Sequence, residues 1–221
     1  MSPRVLFEQE LELLKSKVTE MGEQAEDSYD RLVSAVREND RQAMTRLLDN
    51  DRQMLDMQRV IETMCLRLLT KQQPVARDLR LVSAALKVVT DIERVGDHVT
   101  DIAELYLRME ELSGVSEYEQ MLESMMEEAK SMLHEAVAAF VEGSVGGAEA
   151  VIDHDDVVDD MFNRIKENLM SAIRMQALDA DRVVDYLMVA KYLEKIGDHA
   201  VNIGEWAIFR ETGDMQGVQV Y

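Results

Sequence analysis

One cysteine, Cys65, in 221 residues excludes an internal disulfide and any metal site built from several thiolates, and points to a reducing compartment. Only two prolines and ten glycines interrupt the chain. With so few breakers in a composition rich in Ala, Leu, Met, Glu and Arg, the fold class is all-α with long helices. Long apolar runs are missing too, since the longest wholly apolar stretch, Ala136 to Val141, is far too short to cross a bilayer. The N-terminus turns acidic at Glu8 and Glu10 before an apolar segment develops, so it does not read as a secretory signal. A soluble cytoplasmic protein is expected, without direct membrane insertion, and attachment to a membrane through a protein partner stays open. Positive charge is scarce: 24 Lys and Arg face 44 Asp and Glu, for a net charge of −20. That field argues against nucleic acid or anionic lipid as a partner and suits cations, basic protein surfaces or solubility.

What the sequence does contain is a long repeat. Glu93-Arg-Val-Gly-Asp97-His98-Val-Thr-Asp101-Ile-Ala-Glu104 returns 101 residues later as Glu194-Lys-Ile-Gly-Asp198-His199-Ala-Val-Asn202-Ile-Gly-Glu205. Each copy carries an acid, a second acid four residues on, a Gly-Asp-His centre and a third oxygen-bearing side chain at the eighth position. The chain therefore reads as two versions of one unit, residues 1–113 and 114–221.

Helical spacing organises the rest. Leu6, Leu11, Leu13 or Leu14, Val18, Met21, Ala25, Tyr29, Leu32 and Val36 step at threes and fours and predict a first helix from Arg4 to about Arg37. Asn39-Asp40 caps a second helical region to about Lys71, which Asn50-Asp51 is expected to break. Pro74 ends it. A third helix from about Arg77 carries the seam Leu79, Val82, Leu86, Val89, Ile92, Val95, Val99, Ile102 and Leu105. The second half predicts helices from about Glu117 to Val141, to about Met175, and from about Asp181 to Arg210, with a glycine-rich break at Gly143 to Gly147. Asp155 to Asp160 resembles Asp51 to Asp56 at a spacing of 104, which predicts a connection three residues shorter in the second copy. The architecture that follows is two three-helix bundles side by side. Sixteen methionines, among them Met54, Met57, Met64, Met161, Met170 and Met188, read mostly as core filler.

On a helix, residues four apart lie almost above one another, so Glu93, Asp97 and Asp101 make one acidic stripe and Glu194, Asp198 and Asn202 another. Like charges at that spacing weaken a helix by about 0.2–0.5 kcal/mol per pair, a cost that a hard cation would offset. One helix face cannot complete a coordination shell. Asp51 and Asp56 in the first half, and Asp155, Asp156 and Asp160 in the second, are the candidates to supply further oxygens. All-oxygen ligation favours Mg, Ca or Mn and admits Fe. With Asn in place of a third carboxylate, the second site is expected to carry less charge and bind more weakly. His98 and His199 point about 100° away from the stripes and read as packed side chains, with an outer-ligand role as the alternative. Arg80 and Arg94 read as holding carboxylates in place, and Cys65 as a small buried apolar residue.

Gln73-Pro74-Val-Ala-Arg-Asp78-Leu-Arg80, Asp91-Ile-Glu93-Arg-Val-Gly-Asp97-His98 and Glu194-Lys-Ile-Gly-Asp198-His199-Ala-Val-Asn202-Ile, together with Met21-Gly22, resemble the PhoU family of phosphate-transport accessory proteins. The resemblance covers nearly the whole chain. It implies a non-enzymatic, homodimeric regulator that acts through the ATPase subunit of the phosphate ABC transporter and through the sensor histidine kinase of the phosphate-starvation response. It also implies metal ions on the acidic motifs: Glu93, Asp97 and Asp101 in one half, Glu194, Asp198 and Asn202 in the other. Two other readings stay open. A ferritin-like metalloenzyme would need Glu-x-x-His pairs, and no histidine here has Glu three residues before it. An adaptor whose stripes dock basic helices without metal would be weakened by salt and indifferent to chelators.

Overall fold

The computed structural model describes residues 3–48, 51–109, 117–215 and 218–219. Among them the chain forms seven helices, α1 (Pro3–Glu38), α2 (Arg41–Leu47), α3 (Asp51–Gln72), α4 (Ala76–Arg108), α5 (Glu117–Glu142), α6 (Val145–Met175) and α7 (Ala180–Thr212). Two two-residue strands, β1 (Asp214–Met215) and β2 (Val218–Gln219), pair antiparallel after α7. The expected boundary between residues 113 and 114 lies outside the described residues.

Helices α1, α3 and α4 form one bundle and α5, α6 and α7 the other. The short α2 is the piece split off the second helical region; the break falls where Asn50-Asp51 placed it, and Asp40 caps α2 by accepting from the Ala43 amide at 2.9 Å. The glycine-rich break is narrower than its composition suggests. Gly143 takes φ +74 and Ser144 caps α6 by accepting from the Gly147 amide at 3.1 Å, so Gly146 and Gly147 already lie in the first turn. A capping hydroxyl satisfies an orphan helix donor and offsets part of the helix penalty of two glycines.

The connection between second and third helices is not shortened in the second copy. Residues 73–75 join α3 to α4, and residues 176–179 join α6 to α7. The true register of the repeat is set by close approach at the motif glycines. A Cβ on Gly96 would lie 3.2 Å from Met54 Cγ, and one on Gly197 would lie 3.3 Å from Asp155 Oδ1. Both partners stand 42 residues before their glycine, so packing relates the halves at a spacing of 101 throughout, and the similarity at 104 is a sequence coincidence.

The third helices α4 and α7 pack on each other, antiparallel, and join the bundles. At one end Arg80 donates to the carbonyls of Arg210 and Glu211, both at 3.1 Å, and at the other Arg108 pairs with Asp185 at 2.9 Å. Arg80 thus closes the carbonyl end of α7 rather than holding a carboxylate, a favourable place for a cation near a helix C-terminus. The first helices make a second seam. Gly22 of α1 lies against Val137 of α5, and the buried Tyr29 hydroxyl donates to the Met126 carbonyl at 2.9 Å. The α4 seam is buried as read from Val82 to Leu105, except that Leu86 is half-buried and Leu79, near the helix start, is exposed. Of the named methionines, Met54 is buried and Met57, Met64 and Met161 are half-buried, but Met170 and Met188 are exposed.

Candidate functional site

The two acidic stripes fold into different environments. In the second half, Glu194 and Asp198 on α7 face Asp155 and Asp159 on α6. Gly197 makes this juxtaposition: without a side chain there, α6 lies close enough for the Asp155 carboxylate to rest against the α7 backbone. Burial first, then the charges of Asp159, Asp198 and Glu194, raise the Asp155 carboxyl from 3.8 to about 6. Burial, Glu194 and Asp198 push Asp159 up as well. Asp155 Oδ1 is buried and accepts no hydrogen bond. Two lysines offset part of this charge. Lys191 donates to Glu194 at 2.6 Å, and Lys195 bridges Glu194, at 3.3 Å, and Asp198.

In the first half, Arg94 bonds Asp97 at 2.7 Å and lies 3.8 Å from the buried Glu93. It occupies the position of Lys195 in the repeat and holds carboxylates, as read from the sequence. No carboxylate from α3 completes this stripe among the described side chains. Met54 stands where α6 places Asp155, and Asp56 is exposed and pairs with Arg59 at 3.6 Å. Asp51 opens α3 with its side chain outside the described residues. Asp101 lies 3.4 Å from His98.

Asn202 does not join Asp198. Its amide donates to Asp91 of α4 at 3.1 Å, and His199 Nδ1 lies 2.8 Å from the same oxygen. The expectation of a weaker second site rested on Asn202 as a missing third carboxylate, and that premise fails because α6 supplies the further acids. His98 and His199 stack across the α4/α7 seam with ring centroids 5.5 Å apart, and His98 also stacks on Tyr192 at 5.3 Å. They are packed side chains, and burial lowers the His98 imidazole against the pull of Asp101. His134 and His154 each meet one carboxylate on a neighbouring helix, Glu26 and Glu128. Of the second-helix candidates, Asp155 and Asp156 act on the cluster while Asp160 is exposed beyond it, and Asp159 was missed. Its signal was there: Asp155 and Asp159 are four apart and so share a face, once the glycine opposite that face is known.

As the side chains stand, no three His, Cys, Asp or Glu groups among the described residues close around one metal position. The donor chemistry nonetheless differs between halves. An unpartnered buried carboxylate oxygen amid three further acids fits a hard cation in the second half, whereas among the described side chains of the first half Met54 stands in the place of Asp155 and Arg94 pairs with Asp97.

The PhoU domain matches this chain twice, at residues 18–106 and 122–207. The chain belongs to the PhoU family. Each match spans one bundle and ends within or just after the motif of α4 or α7. The chain is 35% identical over 213 residues to the phosphate-specific transport system accessory protein PhoU homolog of Clostridium acetobutylicum, covering 95% of this chain and 96% of that one. It is 31% identical to PhoU homolog 1 of Thermotoga maritima over 96% of this chain and 92% of that protein. The crystal structure of the phosphate transport system regulatory protein PhoU from Streptococcus pneumoniae superposes with a TM-score of 0.88 at 25% identity, covering 95% of this chain and 98% of that one. PhoU from Pseudomonas aeruginosa superposes with a TM-score of 0.88 at 29% identity, covering 94% of this chain and all of that one. The PhoU fold and its tandem arrangement are therefore shown for this chain, and among the described residues no helix is long and apolar enough to cross a membrane.

Proposed function

We propose that the chain is a non-enzymatic regulator of phosphate uptake, a cytoplasmic homodimer that couples the ATPase subunit of the phosphate ABC transporter to the sensor histidine kinase of the starvation response. The names of its relatives support the link to phosphate transport. We further propose a divalent cation site, for Mg, Mn, Ca or Fe, in the second repeat. Glu194 and Asp198 of α7 would hold the ion with Asp155 and Asp159 of α6, and its charge would tie the two helices together. The observation that carries this is Asp155, whose buried oxygen has no donor while its neighbours are acids. Binding requires Lys191 and Lys195 to release Glu194 and Asp198.

Those same lysines favour a second reading, in which they are the permanent counter-ions and the site is an acidic docking face without metal. Titration calorimetry with each cation separates the two. The metal reading expects one site per chain that is lost in Asp155→Asn and Asp198→Asn, and it falls if wild type takes up no cation tighter than millimolar. Partner assignment is tested by co-purification from native membranes with and without chelator. Recovery of neither the transporter ATPase nor the sensor kinase would sink the regulator reading.

A further inference from the structure

Helix α7 packs against α4, α5 and α6 and keeps one side open to solvent. Toward its N-terminal end that side is apolar. Val184, Met188 and Lys191 follow one another at four and three residues and so share a face, on which Val184 and Met188 are 57% and 36% exposed. On α6, Ile173 stands five whole turns beyond Asp155 and therefore lies on the side where Asp155 meets α7. The Lys191 ammonium sits 5.2 Å from the centroid of the Phe162 ring, which brings that side of α6 beside the open face of α7. Ile173 and its neighbour Met170 are 52% and 49% exposed. Across α7, two contacts fix α4: Arg108 pairs with Asp185 at 2.9 Å, and His98 stacks on Tyr192 at 5.3 Å. Asp101 and Glu104 fall between His98 and Arg108 just as Met188 falls between Asp185 and Tyr192, so the two acids border the apolar strip. Burial, then the charges of Asp101 and Glu104, push the Tyr192 phenol up. Glu104 is exposed and makes no ion pair among the described residues. In the register set by the motif glycines, the first bundle has Gln72, Ser83 and Lys87 at the positions of Ile173, Val184 and Met188. The same fold closes with polar residues there, so packing does not require the apolar ones.

We infer that this face, with Val184 and Met188 as its floor, Met170 and Ile173 on one side and Asp101 and Glu104 on the other, docks a basic amphipathic helix of a partner protein. The inference rests on the regulator reading above, in which the chain acts by touching other proteins, and assigns that contact a place. The backbone of α4, α6 and α7 is satisfied within each helix, so the face offers a strand no edge to pair with and takes side chains alone. Apolar residues at three-and-four spacing on the incoming helix cover the floor, and two methionines let it adapt to their shapes. Lys or Arg on the flank of that helix meets Asp101 and Glu104. The net charge of −20 draws a basic partner in and disfavours an acidic one, so the same charges select the sign of the helix. Its place on α7, beyond Lys191 from Glu194 and Asp198, keeps this face distinct from the proposed cation site.

The test uses the full chain as wild type, Val184→Ser/Met188→Gln and Glu104→Lys, all at exposed positions, with the fold of each checked by thermal unfolding. The probe is a fluorescent synthetic helix of about 18 residues, five turns, with Leu at three-and-four spacing and Lys elsewhere, beside a counterpart with Glu in place of Lys. Anisotropy should show the Lys peptide bound by wild type with or without chelator, and the Glu peptide left free. Val184→Ser/Met188→Gln keeps the net charge, so a general attraction of cations to the chain survives it, whereas docking on this face weakens at least about tenfold. Glu104→Lys should weaken binding and flatten its dependence on salt. Equal binding of the Lys peptide by wild type and the double variant, or of both peptides by wild type, would overturn the inference. So would a double variant that leaves peptide binding alone and changes the sedimentation of the chain, which would give the face to a second copy. Co-purification from native membranes separates this result from the wider reading: a double variant that recovers the transporter ATPase or the kinase as wild type does removes this face and leaves the regulator standing.

Discussion

Asp155→Asn should stabilise the protein, which is unusual for a change at a half-buried polar residue. The Asp155 carboxyl is raised from 3.8 to about 6 by burial and by Asp159, Asp198 and Glu194. Two units correspond to about 3 kcal/mol at full strength, and solvent screening of a partly exposed group reduces this to about 1–2 kcal/mol. The sign follows from linkage. Below about pH 4 the group is protonated in both folded and unfolded chains and costs nothing. Between about pH 4 and 6 the unfolded chain ionises while the folded one holds its proton, so this group's penalty grows as pH rises and is complete above about pH 6. Asn carries no such penalty. Urea unfolding in chelator should therefore place Asp155→Asn about 1–2 kcal/mol above wild type at about pH 7.5, with the same denaturant slope and a gap that closes toward pH 4. Adding Mn or Mg should raise the wild-type melting temperature and leave the variant unmoved, because the unfavourable carboxylate is the one a cation would use. A variant less stable than wild type in chelator would refute the reasoning, since it would mean that the carboxylate is held by a donor rather than repelled.

Three further outcomes follow from the packing. Gly22→Ala would set a Cβ 2.6 Å from Val137 Cγ1, against a stiff β-branched side chain. The overpacking outweighs the gain in helix propensity, giving a net loss of about 1–2 kcal/mol by chemical denaturation that Val137→Ala partly restores; a stabilised Gly22→Ala would contradict the close approach of α1 to α5. Tyr29→Phe removes the second donor to the Met126 carbonyl, which lies inside α5 and keeps its helix bond, so the loss is that of one buried hydrogen bond, about 0.5–1.5 kcal/mol. Burial pushes the Cys65 thiol up to about 12, so a thiol reagent at neutral pH should label it no faster than the chain unfolds, and rapid labelling of the native protein would show that α3 opens locally.

Much of this protein is a matter of local rules. The shortage of proline and glycine, the three-and-four spacing of apolar residues and the caps at Asp40 and Ser144 act over one or two turns of helix, so the all-α class, the break before α3 and the repeated motif follow from the sequence alone. The acidic spacing also shows that Glu194 and Asp198 share a face. Which groups meet across helices is another matter. Asn202 continues the acidic stripe in sequence, yet it turns to Asp91 because α4 lies beside α7. Asp159 gained its role, and Asp160 lost its own, because the register between second and third helices is fixed by side-chain-free contact at Gly96 and Gly197, not by the stretch of acids that looked most alike. Helix periodicity specifies which face a residue occupies, but the neighbour of that face is chosen by how the whole bundle closes. That choice gave one half a carboxylate and the other a methionine at the same place.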